Sequence, residues 1–137
     1  MSDTIVLSIP HARPYHGVVR LVVGGLAARL DLPLEALEDL QLAVESVLSN
    51  RSYAAGDEVT LEVTVRGDAL ELALGPFDQG KIGAELERDP AESEGVGLGR
   101  LLSTVMGGYE LDPRDGRGWV RLHKELPERG IGVEAEA

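Results

Sequence analysis

Two stretches decide how this chain folds: Leu42-Ala43-Val44-Glu45-Ser46-Val47-Leu48-Ser49-Asn50 and Glu94-Gly95-Val96-Gly97-Leu98-Gly99-Arg100-Leu101-Leu102. The first closes an amphipathic helix. Leu34, Leu37, Leu40, Val44, Val47 and Leu48 fall on one arc when successive residues are turned by about 100°. Asp31 is the expected N-cap of that helix, with Pro33 and Glu35 in its first turn. The second stretch is a glycine-rich turn into another apolar helix. There Leu98, Leu101, Leu102 and Val105 recur at helical spacing and Gly107-Gly108 ends the run. Glycines ahead of a helix let the backbone approach an anion, and the first N–H groups of the helix point at it. Gly95, Gly97, Leu98 and Gly99 are therefore candidate anion-binding residues, although a plain connector with a helix start has the same composition.

Outward from these stretches the chain alternates. Thr4 to Ile9 reads as a short strand. Pro14 then opens a helix whose Tyr15, Val18, Val19, Val22, Leu26 and Leu30 make a core stripe. Val59, Leu61, Val63 and Val65 alternate with polar residues, turn at Gly67-Asp68 and return through Leu70, Leu72 and Leu74. Residues 75–94 show little periodicity and read as a long loop, the kind that is often functional. Tyr109 to Leu111 and Gly118 to Leu126 form a last hairpin turning at Asp115-Gly116. Strands grouped in hairpins with a few helices predict an α+β two-layer sandwich, helices on one face of a mostly antiparallel sheet.

Composition narrows the classes. The 137 residues suit one domain, expected over residues 1–126, with 127–137 a flexible acidic tail. The formal net charge of −11 and the scatter of its basic residues argue against direct nucleic-acid binding. There is no cysteine, hence no disulfide or thiolate chemistry. No run approaches a membrane span and no leader pattern opens the chain, so the expected compartment is the cytoplasm. His11, His16 and His123 lack metal-ligand spacing; surface or capping roles are expected of them. Trp119 and Tyr109 are expected in the core or on the sheet surface.

In this order, with a hairpin between them, the two stretches resemble the ends of a nucleotide pocket of the GHKL, or histidine-kinase-like, ATPases. Within that group the chain is similar to the RsbW/SpoIIAB anti-sigma serine kinases over residues 4–126. The resemblance implies a Bergerat-type sandwich, ATP and Mg²⁺ as cofactors, and a sigma factor or an anti-sigma antagonist as partner. In that family the second helix carries a Glu as base or water-orienting group and an Asn four residues later that holds Mg²⁺. The Asn matches Asn50, and the Glu position is Ser46. Glu45 is one residue early and lies about 140° around the helix from Asn50, so the two do not share a face. The His-Ala pair that follows in the family is replaced by Ala54-Ala55.

An Asp in an Asp-x-Gly-x-Gly turn reads the adenine in that family. Here Asp78-Gln79-Gly80-Lys81-Ile82-Gly83 offers Asp78 and Gly80, but counting from the hairpin turn puts the family position near Pro76. Asp78 fits only with a bulge at Gly75-Pro76, and it is equally an ordinary turn residue. The loop 75–94 would be the ATP lid. Arg20 matches a first-helix arginine that the family places at its partner-binding surface. Three functions stay open. One is a partner-switching anti-sigma protein with serine kinase activity weakened or lost. The second is an ATP-independent interaction module. The third is an ATPase whose rearranged pocket uses Asp78 and Glu94. A homodimer through the strand edge near Thr4 to Ile9 is expected.

Overall fold

Two Asp/Gly turns set the sheet. At Asp115-Gly116 the chain takes left-handed backbone angles, φ 52° and 78°, which match the twist of the strands they join. The computed structural model describes residues 2–49, 53–88 and 97–126. In chain order these form β1 (Ser2–Pro10), α1 (His16–Arg29), α2 (Leu34–Leu48), β2 (Glu58–Arg66), β3 (Ala69–Asp78), α3 (Gln79–Glu87), α4 (Leu98–Val105), β4 (Gly108–Arg114) and β5 (Arg117–Glu125), with a 3-10 turn at Arg13–Tyr15 before α1. The five strands lie in the order β1-β2-β3-β5-β4, every pair antiparallel. The α+β two-layer sandwich read from the alternation is the observed architecture.

The register explains why one face is covered and the other is not. Leu7, Leu61, Leu74 and Val120 stand in one row and Val63, Leu72 and Leu122 in another. They meet Val19, Val23, Leu40, Val44, Val47 and Leu102 of the helices in a single core. Burying a side chain of this size is worth roughly 1.5–3 kcal/mol. The opposite face is polar and tied to itself. Thr4 and Ser8 hydrogen-bond Thr64 and Thr60 across the β1–β2 pair. Arg114 bonds Glu62 and Asp112 and lies 4.3 Å over the Trp119 ring. Glu71 faces Arg66, Arg121 and His123.

Several expectations are corrected. Residues 75–94 are not one long loop: β3 runs to Asp78 and α3 follows at once. Ile82 and Leu86, four apart on α3, are buried in the core and give the helix its inner face. Asp31 is not the N-cap of α2. It has φ 54° and closes α1, its N–H going to Ala28 and that of Leu32 to Ala27, while Pro33 is the capping residue. The α1 stripe is narrower than its periodicity. Of its expected residues only Val19 is fully buried, with Val23 and Ala27 beside it; Leu26 and Leu30 are half-buried against the core, while Tyr15 and Val18 face solvent. The expected tail, residues 127–137, lies outside the described residues.

Candidate functional site

The end of α2 brings the first group of expected residues together, and it does so around α1. Glu45 and Ser46 are neighbours on α2, and each is partly buried. The Glu45 carboxylate turns to α1, where its Oε1 accepts from Arg20 Nε at 2.8 Å and also from an Arg20 Nη. His16 stands four residues before Arg20, on the same side of α1. Burial lowers the His16 pKa first, then the charges of His11 and Arg13; Glu45 works in the opposite direction. Glu45 thus belongs to a His16–Arg20–Glu45 cluster between the two helices. Arg20 is exposed as expected, but the face of α1 that carries it is not free of partners, because Glu45 already holds its guanidinium. Ser46 contributes its carbonyl, which accepts from Ser49 Oγ at 3.1 Å and from the Tyr53 hydroxyl at 3.4 Å. Asn50 lies outside the described residues.

At the end of β3 the register slips against β5 between Leu74 and Phe77, so Gly75-Pro76 makes a bulge of one residue, where the family position for Asp78 needs two. Phe77 there is wholly buried, edge-on to Tyr53 at 5.3 Å and to His11 at 6.0 Å between ring centres. Ala54 bridges Phe77, which draws the segment after α2 over the strand end. Asp78 then serves α3 as its N-cap: Oδ1 accepts the Lys81 N–H at 3.0 Å. Gly80 sits exposed in the first turn of the same helix.

The glycine turn is placed by α3 as well. Gly97 and Leu98 are buried, and so is Gly99. A Cβ on Gly99 would lie 2.1 Å from the Leu86 carbonyl oxygen and 2.8 Å from the Tyr109 hydroxyl. Gly99 therefore lets the end of α3 rest against the start of α4, and Tyr109 donates to that same carbonyl at 3.4 Å. Gly95 and Glu94 lie outside the described residues. Each of the expected nucleotide-site residues that the structure describes has another engagement. Ser46 offers no carboxylate, Glu45 is engaged by Arg20, Asp78 caps α3, and α3 covers the glycine turn. A hollow of about 290 Å³ opens elsewhere, lined by Glu71, Tyr109, Glu110, Arg121 and His123. Among the described residues no cluster of three or more His, Asp or Glu could hold a metal.

His11 was expected at the surface and is instead 1% exposed. Its N–H donates to the Asp57 carbonyl at 2.7 Å, and its Nε2–H to the Leu48 carbonyl at 3.3 Å. Among the described residues its Nδ1 and the His16 Nε2 are buried without a hydrogen-bond partner. The signal was in the sequence: His11 continues the inward alternation of Leu7 and Ile9. The spacing of His16 and Arg20 likewise foretold a shared face.

No helix among the described residues is long and apolar enough to cross a membrane. No family model matches the chain. It is 34% identical to the serine-protein kinase RsbW of Listeria monocytogenes serotype 4b (strain F2365), over 100% of this chain and 96% of that protein. It is 30% identical to the serine-protein kinase RsbW of Halalkalibacterium halodurans, over 83% of this chain and 78% of that protein. Against the serine-protein kinase RsbW of Listeria monocytogenes serovar 1/2a (strain EGD-e) the identity is 30%, over 100% of this chain and 96% of that protein. With identity at that level along its whole length, the chain belongs to the RsbW serine-protein kinase family.

Proposed function

We propose that this protein is an anti-sigma regulator of the partner-switching type. It binds a sigma factor or an anti-sigma antagonist, and its transfer of phosphate from ATP is feeble or absent. The fold is then a histidine-kinase-like, GHKL-type ATPase sandwich over residues 1–126 whose nucleotide motifs have degenerated. It acts in the cytoplasm, on transcription, without touching nucleic acid itself. The observation that carries this reading is Ser46 at the family's Glu position, with Glu45 bonded to Arg20 on the neighbouring helix. Loss of a catalytic base costs roughly 10²–10⁴-fold in rate. Asp78 bound to the α3 N-terminus supports the same view.

Contacts with the partner fall to the β1, α1 and α2 side. Every large apolar side chain that is well exposed among the described residues comes from these elements or the 3-10 turn that leads into α1: Ile5, Val6, Tyr15, Val18, Leu21, Leu34 and Leu42. β1 is also a sheet edge, paired on one side only, which suits a homodimer.

The test is a calorimetric titration of the purified protein with Mg-ATP, and separately with each sigma factor and anti-sigma antagonist of its source genome. Tight binding of one such protein, with weak or no nucleotide binding, is the expected result. Phosphotransfer to a serine of the antagonist, at the rate of a family member that keeps the Glu, would overturn it.

A further inference from the structure

We infer that Glu45 is an internal competitor for the carboxylate that a partner brings to Arg20, and so decides which partners α1 accepts. This rests on the reading of α1 as part of the partner-binding face. From His11 to Leu30 the chain has no Asp or Glu, although its formal net charge is −11. Arg13 and Arg29, at either end of that stretch, have no ion pair among the described residues. Between them Leu21 is 76% exposed, and Leu42 of α2 is 44% exposed. Arg20 and Arg29, about 180° apart around α1, flank an exposed strip that holds Leu21, and a strip edged by basic side chains and bearing an apolar one selects an acidic segment that also carries an apolar anchor. A second copy of the same helix would bring like charges together and is disfavoured.

Arg20 stands on the α2 side of this strip and, unlike Arg13 and Arg29, is already paired. A single oxygen of Glu45 takes both of its contacts, Nε and one Nη. The arginine side chain remains 59% exposed and that of Glu45 33%. An approaching carboxylate can therefore reach the guanidinium, but it must displace Glu45 or bind beside it against like charge. An exposed ion pair is weak enough to exchange. A partner that supplies a well-placed carboxylate with an apolar contact wins that exchange, and a merely acidic one does not.

The test compares the wild type with Glu45→Gln, Arg20→Ala and the double variant, each titrated with the sigma factor or antagonist that binds the wild type. Glu45→Gln should bind up to about fivefold tighter, the range set by an exposed ion pair. Its affinity should also fall more steeply as salt is raised, since the strip has lost its counter-charge. Arg20→Ala should bind roughly tenfold weaker or worse. In the Arg20→Ala background Glu45→Gln should bring no gain. Should Glu45→Gln fail to fold, Glu45→Ser removes the same carboxylate. If Arg20→Ala weakens binding but loss of the Glu45 carboxylate leaves it unchanged or weaker, the competitor role is wrong while the α1 surface stands. If Arg20→Ala binds as the wild type does, the α1 surface itself is wrong and the competitor role goes with it.

Discussion

The carbonyl of Leu86 closes on Gly99 so tightly that a Cβ there would lie 2.1 Å from the oxygen. A glycine in the motif expected to receive phosphate is thus required by helix packing. Because the obstructing atom is backbone, α3 itself must move to admit a methyl group. Overpacking a well-filled site costs about 1–3 kcal/mol. Gly99→Ala should destabilise the protein by at least that amount in a denaturant titration. Were Gly99→Ala to melt like the wild type, α3 would not rest on α4 as described.

Mg-ATP should leave the melting temperature of the wild type unchanged. A ligand at ~100 times its Kd adds about 2.7 kcal/mol, a readily measured rise. Ser46→Glu would supply the carboxylate that the proposed function finds missing, but it does not free Asp78 from Lys81 or lift Leu86 off Gly99. That variant alone should also show no nucleotide-dependent stabilisation. A clear shift with Ser46→Glu and none with the wild type would mean that the missing carboxylate is the whole defect.

Much of this was legible in the sequence because it depends on local chemistry. The strand alternation from Val59 to Leu74 and the turns at Gly67-Asp68 and Asp115-Gly116 fix the sheet, whereas counting left a bulge at Gly75-Pro76 as only one of two readings. What was not legible depended on tertiary contacts. α3 is a short helix of low periodicity, stabilised where Ile82 and Leu86 enter the core and where Asp78 caps it. The orientation of Glu45 depends on α1 lying alongside α2, which no spacing within α2 reveals. Gly99 has the same composition signal whether it faces an anion or a carbonyl.

Acid should destabilise the protein through His16. Its pKa is lowered in the folded state, chiefly by burial and then by His11 and Arg13, so folding favours the neutral ring. The stability this contributes is complete above the ordinary histidine value of about 6.5, and it is lost as pH falls from there through the lowered folded value. Other groups titrate in the same range, so the measurement is a difference. Between pH 7.5 and 5, the wild type should lose more stability in urea than His16→Gln. Parallel curves for the two proteins would remove His16 as the source.

Trp119, the only tryptophan, lies across Gly75 on the open face of the sheet and under the guanidinium of Arg114. Its fluorescence therefore reports that layer alone. A Cβ on Gly75 would come within 2.5 Å of Trp119 Cδ2, so the ring must tilt out toward water. Gly75→Ala should shift the emission to the red and destabilise the fold by about 1 kcal/mol, because the ring, unlike a backbone atom, can move. Arg114→Ala removes the stacked cation and its bonds to Glu62 and Asp112 without displacing the ring. It should cost about 0.5–1 kcal/mol, with a smaller spectral change. Equal red shifts in both variants would mean that Arg114, rather than the bare Gly75 surface, holds the indole against the sheet.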